Sequence, residues 1–168
     1  ARADEGAEYA VAYARSPDGV HWEQPKLGLH EWKGNKQNNI VITGKRGRAS
    51  SPWLLDLPER DKRGYKYVLA YRDRDGTHLV GTNDGVHFDA ASDRQIQRLH
   101  SDTQNAIVYD PLRDQYVMYC RAKAVYRAFG SEMIDTGESR RVARIAHPQL
   151  WSDWPSAAAN VLLPDELD

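Results

Sequence analysis

The sequence predicts an all-β fold, a β-propeller made of four-stranded antiparallel blades. Three observations carry that prediction. First, "SPDGVHW" (Ser16–Trp22) returns 66 residues later as "TNDGVHF" (Thr82–Phe88), and a fixed period of this size marks a repeat architecture. Second, apolar residues between the turns alternate with a period of two, as half-buried strands require. Third, no long amphipathic helix is present; "SDRQIQRL" (Ser92–Leu99) comes nearest and is short.

The elements follow in order. "YAVAYARS" (Tyr9–Ser16) alternates and reads as a strand. Asp18-Gly19 then supplies a tight turn, because Gly tolerates positive φ and Asp bonds the turn backbone. Val-His-aromatic is expected to open the partner strand, with Trp22 and Phe88 facing inward. His21 and His87 lie one position out of phase and read as surface or turn-packing residues. "SPWLLDL" (Ser51–Leu57) is a short apolar strand, followed by the charged loop "PERDKRG" and the alternating strand "YKYVLAYR" (Tyr65–Arg72). "THLVGTN" (Thr77–Asn83) leads into the second Asp-Gly turn.

The next unit repeats this order. It has "TQNAIVYD" (Thr103–Asp110), the loop "PLRD", "QYVMYCRA" (Gln115–Ala122) and "RRVARIAH" (Arg140–His147). A further step of 66 lands on Trp154, in "IAHPQLWSDW", without the Asp-Gly pair. Four antiparallel strands per unit is the pattern of a propeller blade. The expected layout is one partial propeller domain over 1–168. Residues 1–45 end one blade, 46–98 form a full blade, and 99–168 form a further blade and the start of the next connection. Two to three blades cannot close a ring that takes roughly four or more. The expectation is therefore a piece of a longer chain whose remaining blades complete the ring, or partial blades assembling from several chains.

The chain has 168 residues, 40% apolar and 28% charged, an ordinary globular balance. Its 23 Lys+Arg and 24 Asp+Glu leave a net charge of -1. That gives no electrostatic reason to expect nucleic acid or an anionic membrane as partner. No apolar stretch approaches the roughly 20 residues of a membrane-spanning helix. The lone Cys120 has no internal disulfide partner, and its place in "YVMYC" suits a buried small hydrophobe better than a catalytic thiol. No Cys/His cluster has metal-site spacing. No signal-peptide core opens the sequence. Five Trp and nine Tyr against two Phe suit strands, and also suit sites where a ring face meets a sugar.

Three stretches resemble a known group: "YARSPDGVHWEQPKLGLHEWKGNKQNNIV", "ERDKRGYKYVLAYRDRDGTHLVGTNDGVHF" and "DTQNAIVYDPLRDQYVMYCRA". With the closing "LPDELD", they are similar to bacterial proteins of the five-bladed β-propeller glycoside hydrolase superfamily, which holds families 32, 43, 62 and 68. The resemblance spans Tyr9 to Asp168. It implies a carbohydrate-active protein that cleaves glycosidic bonds with carboxylates in an axial funnel. One carboxyl protonates the leaving oxygen while another attacks or activates water, and their surroundings push their pKa values apart. No cofactor is implied. A secreted or periplasmic bacterial setting would suit such an enzyme, though no signal is visible.

Carried over by position, Asp102 is the candidate catalytic carboxylate, its alternative role being a strand cap. Gln104 and Asn105 beside it are candidates for binding sugar hydroxyls. Arg48, Ser50 and Ser51 precede the matching strand of the previous blade and are expected to line the same cavity. Asn38 and Asn39 bind sugar or form a turn. Arg121 reaches a carboxylate or sugar, or is a strand-end salt-bridge partner. Asp56 and Asp110 recur at matching strand ends and read as turn residues. The general-acid Glu is unassigned; Glu132 and Glu138 lie in a polar connection, "FGSEMIDTGESRR". A propeller that binds carbohydrate without cleaving it, or one that binds proteins, is the alternative.

Overall fold

The computed structural model describes residues 8–98, 101, 104–121, 126–129, 132–135 and 142–162. It is all-β, with antiparallel sheets that do not close on themselves. A single 3-10 turn, Glu59–Asp61, is the helical element among the described residues.

The strands in chain order are β1 (Val11–Ala12), β2 (Ile40–Ile42), β3 (Ser50–Leu55), β4 (Tyr67–Asp73), β5 (Gly76–Thr82) and β6 (Arg94–Gln97). They continue with β7 (Ala106–Asp110), β8 (Gln115–Cys120), β9 (Tyr126–Phe129), β10 (Glu132–Asp135), β11 (Val142–His147) and β12 (Ala159–Leu162). β1 pairs with β2. The first four-stranded sheet runs β3-β4-β5-β6 and the second β7-β8-β11-β12. Both are meanders entered from the first strand. In the second sheet a separate hairpin, β9-β10, is inserted between the second and third strands.

Burial in the first sheet takes in polar as well as apolar side chains, with Arg72, Asp73, Thr77, His78, Thr82 and Gln97 among the buried residues. All seven residues of β5 are buried, because the sheet is covered on both faces. One face puts Val68, Ala70 and Leu79 into a core with Ile107, Met118 and Ile145 of the second sheet. The other packs Tyr71 and Val80 against Val41 and Ile42 of β2. Successive side chains point to opposite faces, so β4 and β5 serve both cores at once.

The first strands β3 and β7 lie side by side. The Trp53 indole Nε1 donates to the Ile107 carbonyl at 3.2 Å, and the Gln104 amide to the Pro52 carbonyl at 3.1 Å. The charged loop after β3 also crosses to the second sheet. Tyr116 donates its hydroxyl to the Asp61 carboxylate, and the Trp151 indole donates to the Asp61 carbonyl at 2.7 Å. The Arg63 guanidinium lies 4.7 Å from the Trp151 ring centre. These polar ties fix how the two sheets meet.

The repeated turn has one geometry in both copies. Glu23 N donates to Arg15 O at 2.8 Å, and 66 residues on Asp89 N donates to Gly81 O at 2.9 Å. Asp18 Oδ1 accepts from the amides of Val20 and His21, and Asp84 Oδ1 from those of Val86 and His87. Gly19 and Gly85 sit at φ 76° and 77°, where a Cβ would be strained. Each histidine ring binds the carboxylate of its own turn, at 2.6 and 2.7 Å.

Three expectations need correction. Val-His belongs to the turn itself, not to the partner strand, because its amides are consumed by the Asp carboxylate. Trp22 does not face inward: it is 63% exposed, whereas Phe88 is half-buried against the β2 core. Gln104 and Asn105 precede β7 instead of lying in it. The segment nearest to a helical pattern supplies β6.

Candidate functional site

At the starting ends of β3 and β7 the chain gathers polar side chains. The ladder between β3 and β4 shifts register between Ser50 and Trp53, a bulge that re-aims the local side chains. Ser51 absorbs it at φ 52°, a left-handed conformation that costs a residue with a Cβ about 1–3 kcal/mol. Ser50 Oγ lies 3.5 Å from the Arg72 carbonyl. On the β7 side, Asn105 is 4% exposed. Its amide Nδ2 donates to Thr77 Oγ1 at 2.7 Å, while its Oδ1 is buried with no hydrogen-bond partner. Arg121 N donates to the hydroxyl of the fully buried Ser101 at 3.2 Å.

The sequence candidates therefore divide. Gln104 is joined to Pro52, the neighbour of Ser51, and Asn105 to Thr77 of β5. Asp102 lies outside the described residues, as does Glu138. Arg48 is buried, with its guanidinium 4.7 Å from the Tyr9 ring centre. Asn39 donates to the Tyr13 carbonyl at 2.6 Å, and Asn38 Nδ2 to the carbonyls of His30 and Asn35. Both asparagines thus brace the β1–β2 connection. Asp110 accepts from Leu112 N, Arg113 and Gln115 at its turn. Asp56 lines an apolar groove of about 450 Å³ along β3 and β7, with Trp53, Leu54, Ile107, Val108 and Tyr109.

A second polar cluster went unnoticed in the sequence. It lies on the face of β4–β5 turned toward β1–β2. His78, 2% exposed, holds Asp93 Oδ1 with Nδ1 and Asp75 Oδ1 with Nε2, both at 2.8 Å. The Tyr71 hydroxyl donates to Asp93 Oδ2 at 2.5 Å, and Lys45 Nζ to the Asp93 carbonyl at 2.5 Å. The fully buried Asp73 accepts from the backbone amides of Arg46 and Arg74 at 2.8 and 2.7 Å. Burial works against charge on His78, but the two carboxylates outweigh it and raise its pKa. Desolvation and the Asp93 carboxylate both push the Tyr71 phenol up. Asp73, Asp75 and His78 have ligand atoms close enough to hold a cation between them. In the structure, however, His78 holds Asp75 and Asp93, with Arg46 Nε 3.4 Å from Asp75 and Lys45 Nζ 3.7 Å from Asp93. The signal was present: Asp and His three residues apart occur at 18/21, 75/78 and 84/87, and each pair is bonded.

Comparison of the chain with family models, curated proteins and solved structures returns no match.

Proposed function

We propose that this chain supplies consecutive blades of a carbohydrate-active β-propeller, with glycoside hydrolysis as its chemistry. The observation that carries the reading is the meeting of β3 and β7. Two meanders of identical order touch at their first strands. Polar side chains collect at the starting ends of those strands, and aromatic and aliphatic groups line the groove along them. In this reading Asp102 acts on the glycosidic bond, while Gln104, Asn105, Arg48, Ser51 and Arg121 shape the hydroxyl-binding wall. Asn39 is assigned a bracing role.

One observation favours binding without cleavage. Among the described residues near this end, Asp73, Asp75 and Asp93 are already committed to backbone amides or to His78. None of these carboxylates is left to protonate a leaving group.

Turnover of chromogenic glycosides by wild type and Asp102→Asn tests the reading, with glycan binding measured beside it by calorimetry. Hydrolysis that falls about 100-fold or more in the variant supports the assigned chemistry. Turnover unchanged in the variant removes Asp102. Glycan binding without turnover in wild type selects the binding-only form. Neither binding nor turnover rejects the reading.

A further inference from the structure

Toward the β4–β5 turn, the apolar core between the two sheets gives way to buried polar side chains. Val68, Ala70 and Leu79 point into that core. Alternation carries Arg72 and Thr77, which pair across the β4–β5 ladder, to the same side. Arg72 and Thr77 are 4% and 1% exposed, and Asn105 joins Thr77 from the second unit at 4%. Burying polar groups is costly unless each finds a hydrogen-bond partner.

Between Thr77 and Asn105 the count of hydrogens does not close. Asn105 Nδ2 donates to Thr77 Oγ1 at 2.7 Å. The hydroxyl accepts in that contact, and its own hydrogen goes to no acceptor among the described residues. Asn105 Oδ1 is buried and receives no hydrogen bond. Turning the amide over moves the problem without removing it. Thr77 would then donate to Oδ1, and the buried NH2 would be the group without an acceptor.

A single group completes both side chains if it accepts from the Thr77 hydroxyl and donates to Asn105 Oδ1. A hydroxyl does both, whereas a carboxylate or carbonyl only accepts and an ammonium only donates. We infer that Thr77 and Asn105 together bind one hydroxyl group, supplied by an interior water or by a ligand. Both side chains are closed off from solvent, which suits a water held inside. Asn105 also belongs to the wall assigned to sugar hydroxyls, which suits a ligand. In its ligand form the inference rests on the carbohydrate reading and adds Thr77 to that wall. In its water form it stands without that reading.

High-resolution crystal structures of the chain, alone and soaked with methyl β-glucoside or methyl β-xyloside, test it, with calorimetry on the same sugars. A water oxygen within hydrogen-bond distance of both Thr77 Oγ1 and Asn105 Oδ1 in the unsoaked crystal supports the inference and assigns the hydroxyl to water. A glycoside oxygen at that spot, seen only after soaking, supports it and assigns the hydroxyl to ligand. In that case Thr77→Val, which keeps the side-chain shape and drops the hydroxyl, should weaken glycoside binding about 10-fold. No oxygen within reach of both atoms in any of the crystals overturns the inference, even where calorimetry shows a glycoside binding. A bound water with no glycoside binding upholds the inference and counts against the carbohydrate reading alone.

Discussion

His78 is a buried titratable side chain held between two carboxylates. A neutral imidazole has one N–H, yet both ring nitrogens face carboxylate oxygens at 2.8 Å, so the protonated ring is the form that satisfies both contacts. Its raised pKa has a definite consequence for stability. A group whose pKa is higher folded than unfolded adds stability fully below its unfolded value. That contribution disappears as pH climbs through the folded value. The melting temperature is therefore expected to decline as pH rises above about 6.5, and His78→Gln should flatten that decline. Removing the ring also takes the nearest cation from Asp93, whose side chain is 9% exposed, and leaves it the Tyr71 hydroxyl at 2.5 Å and Lys45 Nζ at 3.7 Å. The cost is about 2 kcal/mol near neutral pH. A melting curve with the same pH slope in wild type and variant would show that the ring carries no proton in this range. Asp-x-x-His was legible as a repeated spacing, but burial was not: nothing in "DGTHL" says that His78 lies inside while His21 and His87 lie on the surface. That difference comes from β1–β2 covering one face of the sheet.

At the scale of elements, the Asp-Gly turns and the alternating strands were readable because their physics is local. Gly19 and Gly85 need positive φ, and Asp carries its own acceptor to the amides that follow. The order β3-β4-β5-β6 follows from short connections between strands. What local physics could not give was which face of each strand is covered. β5 is buried on both sides, so its alternation reports nothing about inside and outside. The β9–β10 hairpin falls in a stretch read only as a polar connection, although "AVYRAF" (Ala124–Phe129), which holds β9, is largely apolar. Cys120 behaves as its neighbours suggested: it is buried, and desolvation pushes its thiol up to about 11. The two-core arrangement predicts unequal sensitivity to truncation. Leu79→Ala, at a fully buried site between the sheets, should lose about 3 kcal/mol in urea unfolding. Leu112→Ala, at a turn position 90% exposed, should stay within about 0.5 kcal/mol. Equal losses at the two positions would mean that the sheets do not share a core.

For the molecule as a whole, three layers stack in sequence order: β1–β2, the first four-stranded sheet, then the second. The repeat anticipates successive four-stranded antiparallel units, and polar side chains gather at the starting ends of β3 and β7. Ligand chemistry was legible only as candidate positions, since side chains from different units converge through packing that no single stretch encodes. The layers also differ in how their central strands are brought together. In the first sheet Asp73 pairs with Gly76 across a two-residue turn. In the second, Cys120 must find Ala143 across the inserted β9–β10 segment. Closing the longer gap costs about 2 kcal/mol more chain entropy, unless the small hairpin forms first and shortens it. During synthesis or refolding the amide of Val80 should therefore become protected before that of Ile145, as pulsed hydrogen exchange can read out. Until the later strands arrive, Leu79 and its neighbours present a bare greasy wall, and that interval is when this chain is most exposed to chaperones and to misassembly. Simultaneous protection of the two amides would mean that the insert imposes no kinetic delay.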